Sequence, residues 1–263
     1  MEPLIAVKDL SKGYPSASRS PAIMALDKVS FTLARGETLG VVGESGSGKS
    51  TLARTLLGLE RASGGTASYR NCDMLRPTEA DRTVLQRQIQ MVFQDPTASL
   101  NPRMTVEEII SEPWAIHRDV LPKKEWKGRV GALLEQVGLT KEHAQRYPHQ
   151  FSGGQRQRIA IARALALRPD VIICDEAVSS LDVSVQAQII ALLKNLKDEH
   201  GLSYIFIAHD LPVVRSFADR VLVMRKGQIV EQGRTDSLFT DPQHPYTREL
   251  LQSDPVLGSH VAA

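Results

Sequence analysis

One lysine stands among small residues in GESGSGKST, residues 43–51. Gly43, Gly48, Lys49 and Ser50 fit the pattern G-x-x-x-x-G-K-[ST], whose backbone N–H groups wrap nucleotide phosphates. The glycines let the backbone approach phosphate oxygens that a Cβ would block. Lys49 would span the β- and γ-phosphates, and the Ser50 hydroxyl would bind Mg²⁺. The alternative is a Gly/Ser-rich turn without a ligand. The candidate phosphate-binding residues are Gly43, Glu44, Ser45, Gly46, Ser47, Gly48, Lys49, Ser50 and Thr51.

Two acidic residues end the apolar run VIICDE at residues 171–176. In open α/β sheets, ligands bind at the carboxyl ends of the strands, where Asp175 and Glu176 would lie. Asp175 would hold Mg²⁺, and Glu176 would act as general base on the attacking water. Alone, two acids after a strand are more often a solvated strand end. Together with the phosphate-binding pattern, they predict a catalytic site.

A second group of small residues opens the segment FSGGQRQRIAIARAL at residues 151–165. Ser152, Gly153 and Gly154 make a good helix start, with Ser152 as N-cap, and that is the simpler interpretation. They also form a helix N-terminus suited to an anion. One nucleotide in one chain hardly needs two such sites. Two chains facing head to tail would each contribute one half to each nucleotide.

The composition excludes several classes of protein. The chain has 263 residues, 42% of them hydrophobic and 24% charged, with a net charge of +2. This predicts one core with room for an inserted subdomain, and argues against disorder or a broad nucleic-acid surface. The two cysteines, Cys72 in a predicted turn and Cys174 in a predicted core strand, lack metal-ligand spacing. No signal-peptide pattern or apolar run of about 18 residues is found, so other chains would hold the protein at any membrane.

Short apolar runs alternate with helical patterns along the chain, which predicts an α/β layered domain. Several runs are apolar at consecutive positions, as in parallel strands that are covered on both faces. Strands are predicted at 4–10, 29–33, 38–43, 89–94, 171–176, 203–209, 220–224 and 228–233. Helices are predicted at 49–59, 106–114, 125–138, 154–167 and 184–200. Residues 96–150 show helices without strands, 11–21 a Ser/Pro-rich loop, and the C-terminus one short helix before a frayed tail.

With these motifs in this order, the chain resembles the nucleotide-binding subunits of ATP-binding cassette (ABC) transporters over residues 4–250. The resemblance implies a P-loop NTPase (RecA-like) α/β core with an antiparallel β subdomain and an inserted α-helical subdomain. We expect the ATPase core at 1–95 and 151–235. The helical subdomain would occupy 96–150, and the C-terminal helix and tail 236–263.

The resemblance also implies further site residues. Tyr14 matches the aromatic residue that stacks on adenine, although a loop tyrosine is otherwise unremarkable. Gln94 matches the glutamine that touches Mg²⁺ and the attacking water and begins the segment facing the permease. Asp182 matches the aspartate that communicates between the two sites, and His209 matches the histidine that contacts the γ-phosphate. The signature segment, which would complete the partner's nucleotide site, consists of Phe151, Ser152, Gly153, Gly154 and Gln155.

The chain departs from the family pattern in two places, one a single residue and the other a short segment. Phe151 stands where leucine is commoner, which conserves bulk. AVSSLD, residues 177–182, stands where the family usually has Pro-Thr-Ser-Ala-Leu-Asp. Both Asp175 and Glu176 are present, so catalysis is expected, whereas the effect of Ala177 and Val178 on its rate stays open.

Three segments point to a subfamily. FQDPTASLNPR (93–103), DVSVQAQII (182–190) and HPYTRELL (244–251) resemble importer ATPases for peptides, nickel and opines, especially the second of two ATPase chains in heteromeric systems. Some members bind an iron–sulfur cluster through cysteines in a C-terminal extension. No cysteine follows Cys174 here, so no such cluster is expected.

The resemblance implies an ATPase with ATP and Mg²⁺ as ligands, which drives a separate permease by ATP-dependent closure of two ATPase chains. The expected partners are a paralogous ATPase subunit or a second copy, two transmembrane permease subunits and a substrate-binding protein, without nucleic acid. The location would be the cytoplasmic face of the inner membrane. Two alternatives stay open: a soluble cassette ATPase in DNA repair or translation, and one attached to a phosphonate-lyase complex. The transported solute cannot be inferred from these residues.

Overall fold

Two β-sheets organise the chain in the computed structural model, which describes residues 2–15, 23–95, 99–179 and 181–254. The antiparallel sheet has the order β2-β1-β4-β5. Its strands are β1 (Ile5–Tyr14), β2 (Ile23–Leu33), β4 (Gly64–Tyr69) and β5 (Cys72–Asp73). The second sheet has the order β10-β9-β3-β8-β7-β6. Its strands are β3 (Thr38–Val42), β6 (Ile89–Val92), β7 (Val171–Asp175), β8 (Ser203–Ile207), β9 (Arg220–Arg225) and β10 (Gln228–Arg234).

The second sheet is parallel except for β10, which pairs antiparallel with β9. Strands β3, β8 and β7 are neighbours, and every residue of these three strands is buried. Because they run in the same direction, the segments that follow them emerge at one edge of the sheet. The segments 43–48, 175–176 and 208–209 are therefore brought together by strand pairing rather than by sequence proximity.

Nine α-helices lie within the described residues. They are α1 (Lys49–Leu56), α2 (Glu79–Gln88), α3 (Val106–Ile116), α4 (Trp126–Gln136), α5 (Gly153–Leu165), α6 (Val183–His200), α7 (Leu211–Phe217), α8 (Thr235–Thr240) and α9 (Pro245–Gln252). None of these helices combines the length and apolar character needed to cross a lipid bilayer.

The core is divided by the parallel sheet into two apolar clusters. Along β7, Ile172 and Cys174 join the cluster that includes α3, α4 and α5, whereas Val171 and Ile173 join the cluster that includes the antiparallel sheet. This alternation is what a strand covered on both faces requires. The prediction that Cys174 is a core residue is confirmed, because it is fully buried.

Residues 99–150 contain helices and no strand, as predicted for the part of 96–150 that is described. Helix α5 packs on α3, where the Trp114 ring N–H donates to the Ala166 carbonyl (2.9 Å) and Arg163 pairs with Glu112 (2.6 Å). The core of this helical region thus continues into α5. The division of the chain at residues 95, 150 and 235 stays a prediction.

Several local predictions were wrong. Residues 11–14 were expected in a loop, but they extend β1, where Tyr14 pairs with Ile23 and Ser11 with Gly64. Cys72 lies in the short strand β5 rather than in a turn. Strands β4 and β5 and helices α2, α7 and α8 were not predicted. The sequence of β4, GGTASY, has no apolar run, and α2 has no buried residue, so neither shows a periodic signal. The predicted loop at 11–21 and the predicted frayed tail fall partly outside the described residues.

Candidate nucleotide-binding site

The loop between β3 and α1 is built on glycines in unusual conformations. Gly43, Gly46 and Gly48 have φ angles of 147°, 78° and 107°, which side chains with a Cβ rarely adopt. A Cβ on Gly43 would overlap the carbonyl oxygen of Met224, and one on Gly48 would overlap that of Ala25. Glycine is thus required here by both conformation and space.

The same loop presents backbone donors. Among the residues that the structure describes, the N–H groups of Ser45, Gly46 and Gly48 donate to no acceptor. The Ser47 hydroxyl is buried and also lacks a partner. Helix α1 begins immediately after this loop, and its N-terminus adds positive partial charge. These donors fit a bound phosphate group.

Lys49 is buried inside the loop. Its Nζ donates to the carbonyls of Gly43 (2.7 Å) and Glu44 (3.0 Å). Burial lowers the pKa of Lys49, and the charges of Glu176 and Asp175 act in the opposite direction. The side chain is therefore held where its charge is screened little by water.

Ser50 and Asp175 join the loop to the end of β7. The Ser50 hydroxyl donates to Oδ1 of Asp175 at 3.0 Å, and Asp175 is 7% exposed. Burial raises the pKa of Asp175, and the Ser50 hydrogen bond partly offsets this. Two oxygen ligands fit Mg²⁺, which commonly takes one or two protein ligands and completes its shell with phosphates and water. In the described part of the chain, no group of three or more His, Cys, Asp or Glu side chains could hold a metal.

Glu176 and His209 lie next to this pair. Glu176 adopts a left-handed conformation (φ 50°), and its N–H donates to the carbonyl of Ile207 (2.9 Å). Such strain in a residue other than glycine is frequent at functional sites. Oε2 of Glu176 lies 3.8 Å from Nδ1 of His209, too far for a direct hydrogen bond. The His209 side chain is 59% exposed, so both groups can reach a ligand at the sheet edge.

Gln94 is connected to Glu176 through Ser179. The Ser179 hydroxyl donates to the carbonyl of Glu176 (2.9 Å), and Nε2 of Gln94 lies 3.5 Å from the same hydroxyl. Gln94 is exposed, and its side chain is engaged with Ser179 rather than with Ser50 or Asp175. The sequence analysis included Ser179 in the segment AVSSLD but gave it no role of its own.

Tyr14 ends β1 beside α1 and is 38% exposed. Its hydroxyl donates to Glu60, and this hydrogen bond raises the pKa of Tyr14, while one with Thr51 lowers it. The Nζ of Lys12 lies 4.8 Å from the ring centroid. An exposed ring near the first turn of α1 is compatible with stacking on a base, and Lys12 lies against the ring.

The signature segment, Phe151–Gln155, is a regular helix start. Ser152 accepts from the Gln155 N–H (3.3 Å), and the Gln155 side chain accepts from the Ser152 N–H (3.0 Å). This reciprocal capping box satisfies two donors that a helix end would otherwise leave unpaired. Phe151 is buried, with its ring 5.3 Å from that of His143.

Gly154 is a packing residue of the signature segment, whereas Gly153 has room for a Cβ. A Cβ on Gly154 would lie 2.5 Å from Cγ1 of Val185, and one on Gly153 would lie 3.4 Å from Cδ2 of Leu181. Leu181 and Val185 flank Asp182, which is exposed at the N-cap of α6 without a capping side-chain hydrogen bond. The start of α5 thus lies against the start of α6.

The predicted residues fall into two groups. Lys49, Ser50, Asp175, Glu176 and His209 meet at one sheet edge, and Gln94 joins them through Ser179. The side chains of Ser152 and Gln155 instead each accept a hydrogen bond from the backbone N–H of the other residue. Among the described residues, no hydrogen bond joins the signature segment to the phosphate loop, residues 43–48.

Comparison with protein families identifies the class of ATPase. A family model described as "ABC transporter" matches residues 26–179. Because this match covers more than half of the chain, the chain belongs to the ABC transporter family, in agreement with the prediction. A second model, described as "Oligopeptide/dipeptide transporter, C-terminal region", matches residues 230–262.

Individual relatives narrow this assignment. The chain is 54% identical over 250 residues to a putative peptide import ATP-binding protein of Brucella abortus, covering 95% of this chain and 75% of that protein. It is 50% identical over 261 residues to the dipeptide transport ATP-binding protein DppF of Escherichia coli, covering 98% and 78%. Its fold is similar to the dimeric ATP-binding cassette MJ0796 bound to ADP and Pi (TM-score 0.77, 29% identity, 88% of this chain and 98% of that chain). The predicted fold class is confirmed.

Proposed function

We propose that this chain is the ATP-hydrolysing subunit of an importer for peptides or related small solutes. Its relatives are named as peptide import and dipeptide transport ATP-binding proteins, which supports import over a role in DNA repair, translation or phosphonate breakdown. The match of residues 230–262 to the oligopeptide/dipeptide C-terminal region supports the same subfamily. Which solute is carried depends on other chains of the transporter.

One observation carries the assignment of the catalytic site. The 3.0 Å hydrogen bond from Ser50 to Asp175 connects the phosphate loop to the carboxylates that follow β7, across 125 residues of sequence. This hydrogen bond supports the proposal because its two oxygens, which would bind a cation, lie beside the buried charge of Lys49 and directly before Glu176. These are the parts that phosphoryl transfer needs in one place.

Lys49 and the loop would bind the triphosphate. The unpaired N–H groups of Ser45, Gly46 and Gly48 would donate to phosphate oxygens, and Lys49 would contribute positive charge toward the β- and γ-phosphates. Because Lys49 is buried, this charge acts with little screening and needs little reorganisation during reaction. Tyr14 would stack on the base.

Glu176 and His209 would act on the reacting end of the nucleotide. Glu176 would accept a proton from the attacking water, and His209 would contact the γ-phosphate. Their 3.8 Å separation leaves both groups available for a shared ligand. Gln94, whose Nε2 lies 3.5 Å from the Ser179 hydroxyl that is bonded to the Glu176 carbonyl, would orient that water.

Mg²⁺ fits the oxygen pair of Ser50 and Asp175, and Gln94 would be a further ligand after its side chain leaves Ser179. When bound, Mg²⁺ would supply positive charge that neutralises the charge developing on the phosphates. Asp175 is buried and accepts a hydrogen bond from Ser50, so its carboxylate is oriented before any ligand binds.

Two ATPase chains would enclose two nucleotides, each phosphate loop facing the signature segment of the other chain. The partner would be a paralogue or a second copy, and Asp182 would lie at the boundary between the two sites. Two permease subunits would hold the pair at the cytoplasmic face of the inner membrane and connect it to a substrate-binding protein, without nucleic acid. The structural neighbour crystallised as a nucleotide-bound dimer supports this arrangement.

The closure of two chains is tested with Glu176→Gln, which keeps the side-chain shape and removes the base. We expect this variant to bind ATP, to hydrolyse it about 10²–10⁴-fold more slowly, and to accumulate as an ATP-dependent dimer. Light scattering after size exclusion, with and without ATP, measures the dimer. Both the chain alone and the complex purified with its partner subunits are examined.

Glu125→Gln is the matched control, since Glu125 is an exposed glutamate far along the chain from both site segments. It should hydrolyse ATP as the parent chain does and show no trapped dimer. Equal association of Glu176→Gln with and without ATP, in both preparations, would refute the closure mechanism.

A further inference from the structure

A tyrosine of the C-terminal helix α9 touches the phosphate loop. The hydroxyl of Tyr246 accepts a hydrogen bond from the backbone N–H of Glu44 (3.2 Å), although 202 residues separate the two in sequence. Tyr246 is only 1% exposed. Because this N–H donates to Tyr246, it is not one of the donors that would face a phosphate. It connects the loop to α9 instead.

The hydrogen bond acts on the peptide unit that also receives Lys49. The N–H of Glu44 and the carbonyl of Gly43 belong to one planar peptide group. Its carbonyl accepts from Nζ of Lys49 (2.7 Å), and its N–H donates to Tyr246. Because the plane is bonded on both sides, rotation of this peptide would break both hydrogen bonds. Hydrogen bonds in such a chain also polarise one another.

Three hydrogen bonds fix the position of helix α9 and therefore the position of Tyr246. Nδ1 of His244 accepts from the N–H of Tyr246 (3.1 Å), and the Glu231 carboxylate accepts from the N–H of His244 (3.0 Å). Nε of Arg248 donates to the carbonyl of Pro242 (2.8 Å). These bonds fix the first turn of α9 against β10 and the preceding loop.

Two residues at the end of β9 contact Tyr246 and the phosphate loop. The Arg225 guanidinium lies 4.5 Å from the Tyr246 ring centroid, a cation–π geometry. The preceding residue, Met224, has its carbonyl oxygen against Gly43, where a Cβ would not fit. The ring is thus held between β9 and the beginning of the phosphate loop.

We propose that Tyr246 is a positioning residue of the nucleotide site, which acts by fixing the Gly43–Glu44 peptide to which Lys49 is bonded. The segment HPYTR, residues 244–248, then has a physical role: it holds Tyr246 in place. This inference rests on the proposed function, because Lys49 matters to a nucleotide only if the loop binds phosphates. In the sequence analysis, this segment served only as evidence for the resemblance to the importer subfamily.

The test is Tyr246→Phe, which removes the hydroxyl and keeps the ring between Arg225 and the loop. We expect the affinity for Mg²⁺-ATP and Mg²⁺-ADP to fall about 2- to 10-fold, the effect of one neutral hydrogen bond. Isothermal titration calorimetry of the full chain measures it. The rise in melting temperature that saturating ADP produces should shrink in parallel.

Tyr204→Phe is the matched control, because it removes a buried tyrosine hydroxyl that donates to the carbonyl of Leu193 (3.2 Å) and does not touch the loop. It should lower the melting temperature of the nucleotide-free chain and leave nucleotide affinity within 2-fold of the parent. The inference is overturned if Tyr246→Phe binds both nucleotides as the parent chain does, or if both variants lose affinity equally. Failure of the parent chain to bind ATP would instead refute the proposed function.

Discussion

The phosphate loop and the signature segment use the same residue types in different ways. Each places glycine and serine before a helix, and each was predicted to bind an anion. In the loop, Gly43, Gly46 and Gly48 all have positive φ angles, and a buried lysine follows them. In the signature segment, no glycine has a positive φ, and Ser152 forms an ordinary capping box with Gln155.

The difference teaches why glycine is present in each case. In the loop, backbone conformation and close backbone approach require it. In the signature segment, Gly154 is required because Val185 of α6 occupies the place of a side chain. A segment of small residues at the start of a helix can therefore form either an anion-binding loop or a packing contact with another helix. Within one chain, only the phosphate loop supplies hydrogen-bond donors and charge. This agrees with the proposal that the signature segment functions across a subunit boundary.

Replacing the lysine should have the largest effect. Lys49→Ala removes the buried charge from the loop, and we expect ATP hydrolysis to fall about 10²–10³-fold, as when one preorganised stabilising group is lost. Phosphate release by the purified transporter complex measures it. Lys194→Ala, at an exposed position of α6, should hydrolyse ATP normally. A Lys49→Ala variant with more than a tenth of the parent rate would contradict the assignment.

The packing role of Gly154 predicts a loss of stability rather than of nucleotide affinity. Gly154→Ala should lower the free energy of unfolding by about 1–3 kcal/mol, since the new Cβ overlaps Val185. Denaturant unfolding of the single and double variants with Val185→Ala measures the coupling. The second substitution should recover part of the loss. Strictly additive effects would show that the overlap does not limit packing.

The capping box allows a matched pair of variants. Ser152→Ala should cost about 0.5–2 kcal/mol of stability, as should Thr105→Ala, whose capping box with Glu108 has the same design. Chemical denaturation compares the two. Only Ser152→Ala should also weaken ATP-dependent association, which light scattering follows. If both variants associate normally in ATP, the signature segment has no role in the partner's site.

The smallest effect concerns the buried charge beside the loop. Burial raises the pKa of Asp175 above its ordinary value of 3.8, so the charged form destabilises the empty fold and the destabilisation grows as pH rises through that raised pKa. Asp175→Asn should raise the melting temperature of the nucleotide-free chain by roughly 2–4 °C at pH 7, and the gain should vanish on acidification. Differential scanning calorimetry measures both.

Asp198→Asn, at an exposed position of α6, is the control and should not change the melting temperature. The signature segment contains no buried carboxylate, so substitutions there should show no comparable pH dependence. A destabilised Asp175→Asn variant at pH 7 would mean that the charged carboxylate supports the empty fold.

Much of the fold could be predicted because its strands are buried on both faces. The run VIICD at 171–175 and the run SYIFI at 203–207 are apolar at nearly every position, and each is a strand. The strand at 64–69 was missed because its sequence has small and polar residues, and its hydrogen bonds come from β1 and β5. Pairing with distant strands decided its conformation.

The candidate site was predictable where a motif specifies chemistry locally, as at Lys49. It was not predictable where a side chain acts through a distant contact. The Ser179 hydroxyl donates to the carbonyl of Glu176, and the Tyr246 hydroxyl accepts from the N–H of Glu44. The residue types and sequence spacings do not predict these two hydrogen bonds. Gln94 was assigned a role from the family resemblance, whereas Ser179, which lies 3.5 Å from its Nε2, was given none.

The sequence by itself determined the class of chemistry, since the order of small residues, lysine and hydroxyl at 43–51 and the acids at 175–176 specify a phosphate site without reference to the rest of the chain. The tertiary structure decided what surrounds that site. Three features arise only when β3, β7 and α9 come together. Lys49 becomes buried, burial raises the pKa of Asp175, and Tyr246 accepts a hydrogen bond from the loop. Desolvation and long-range hydrogen bonds depend on which segments meet, and no local pattern contains that information.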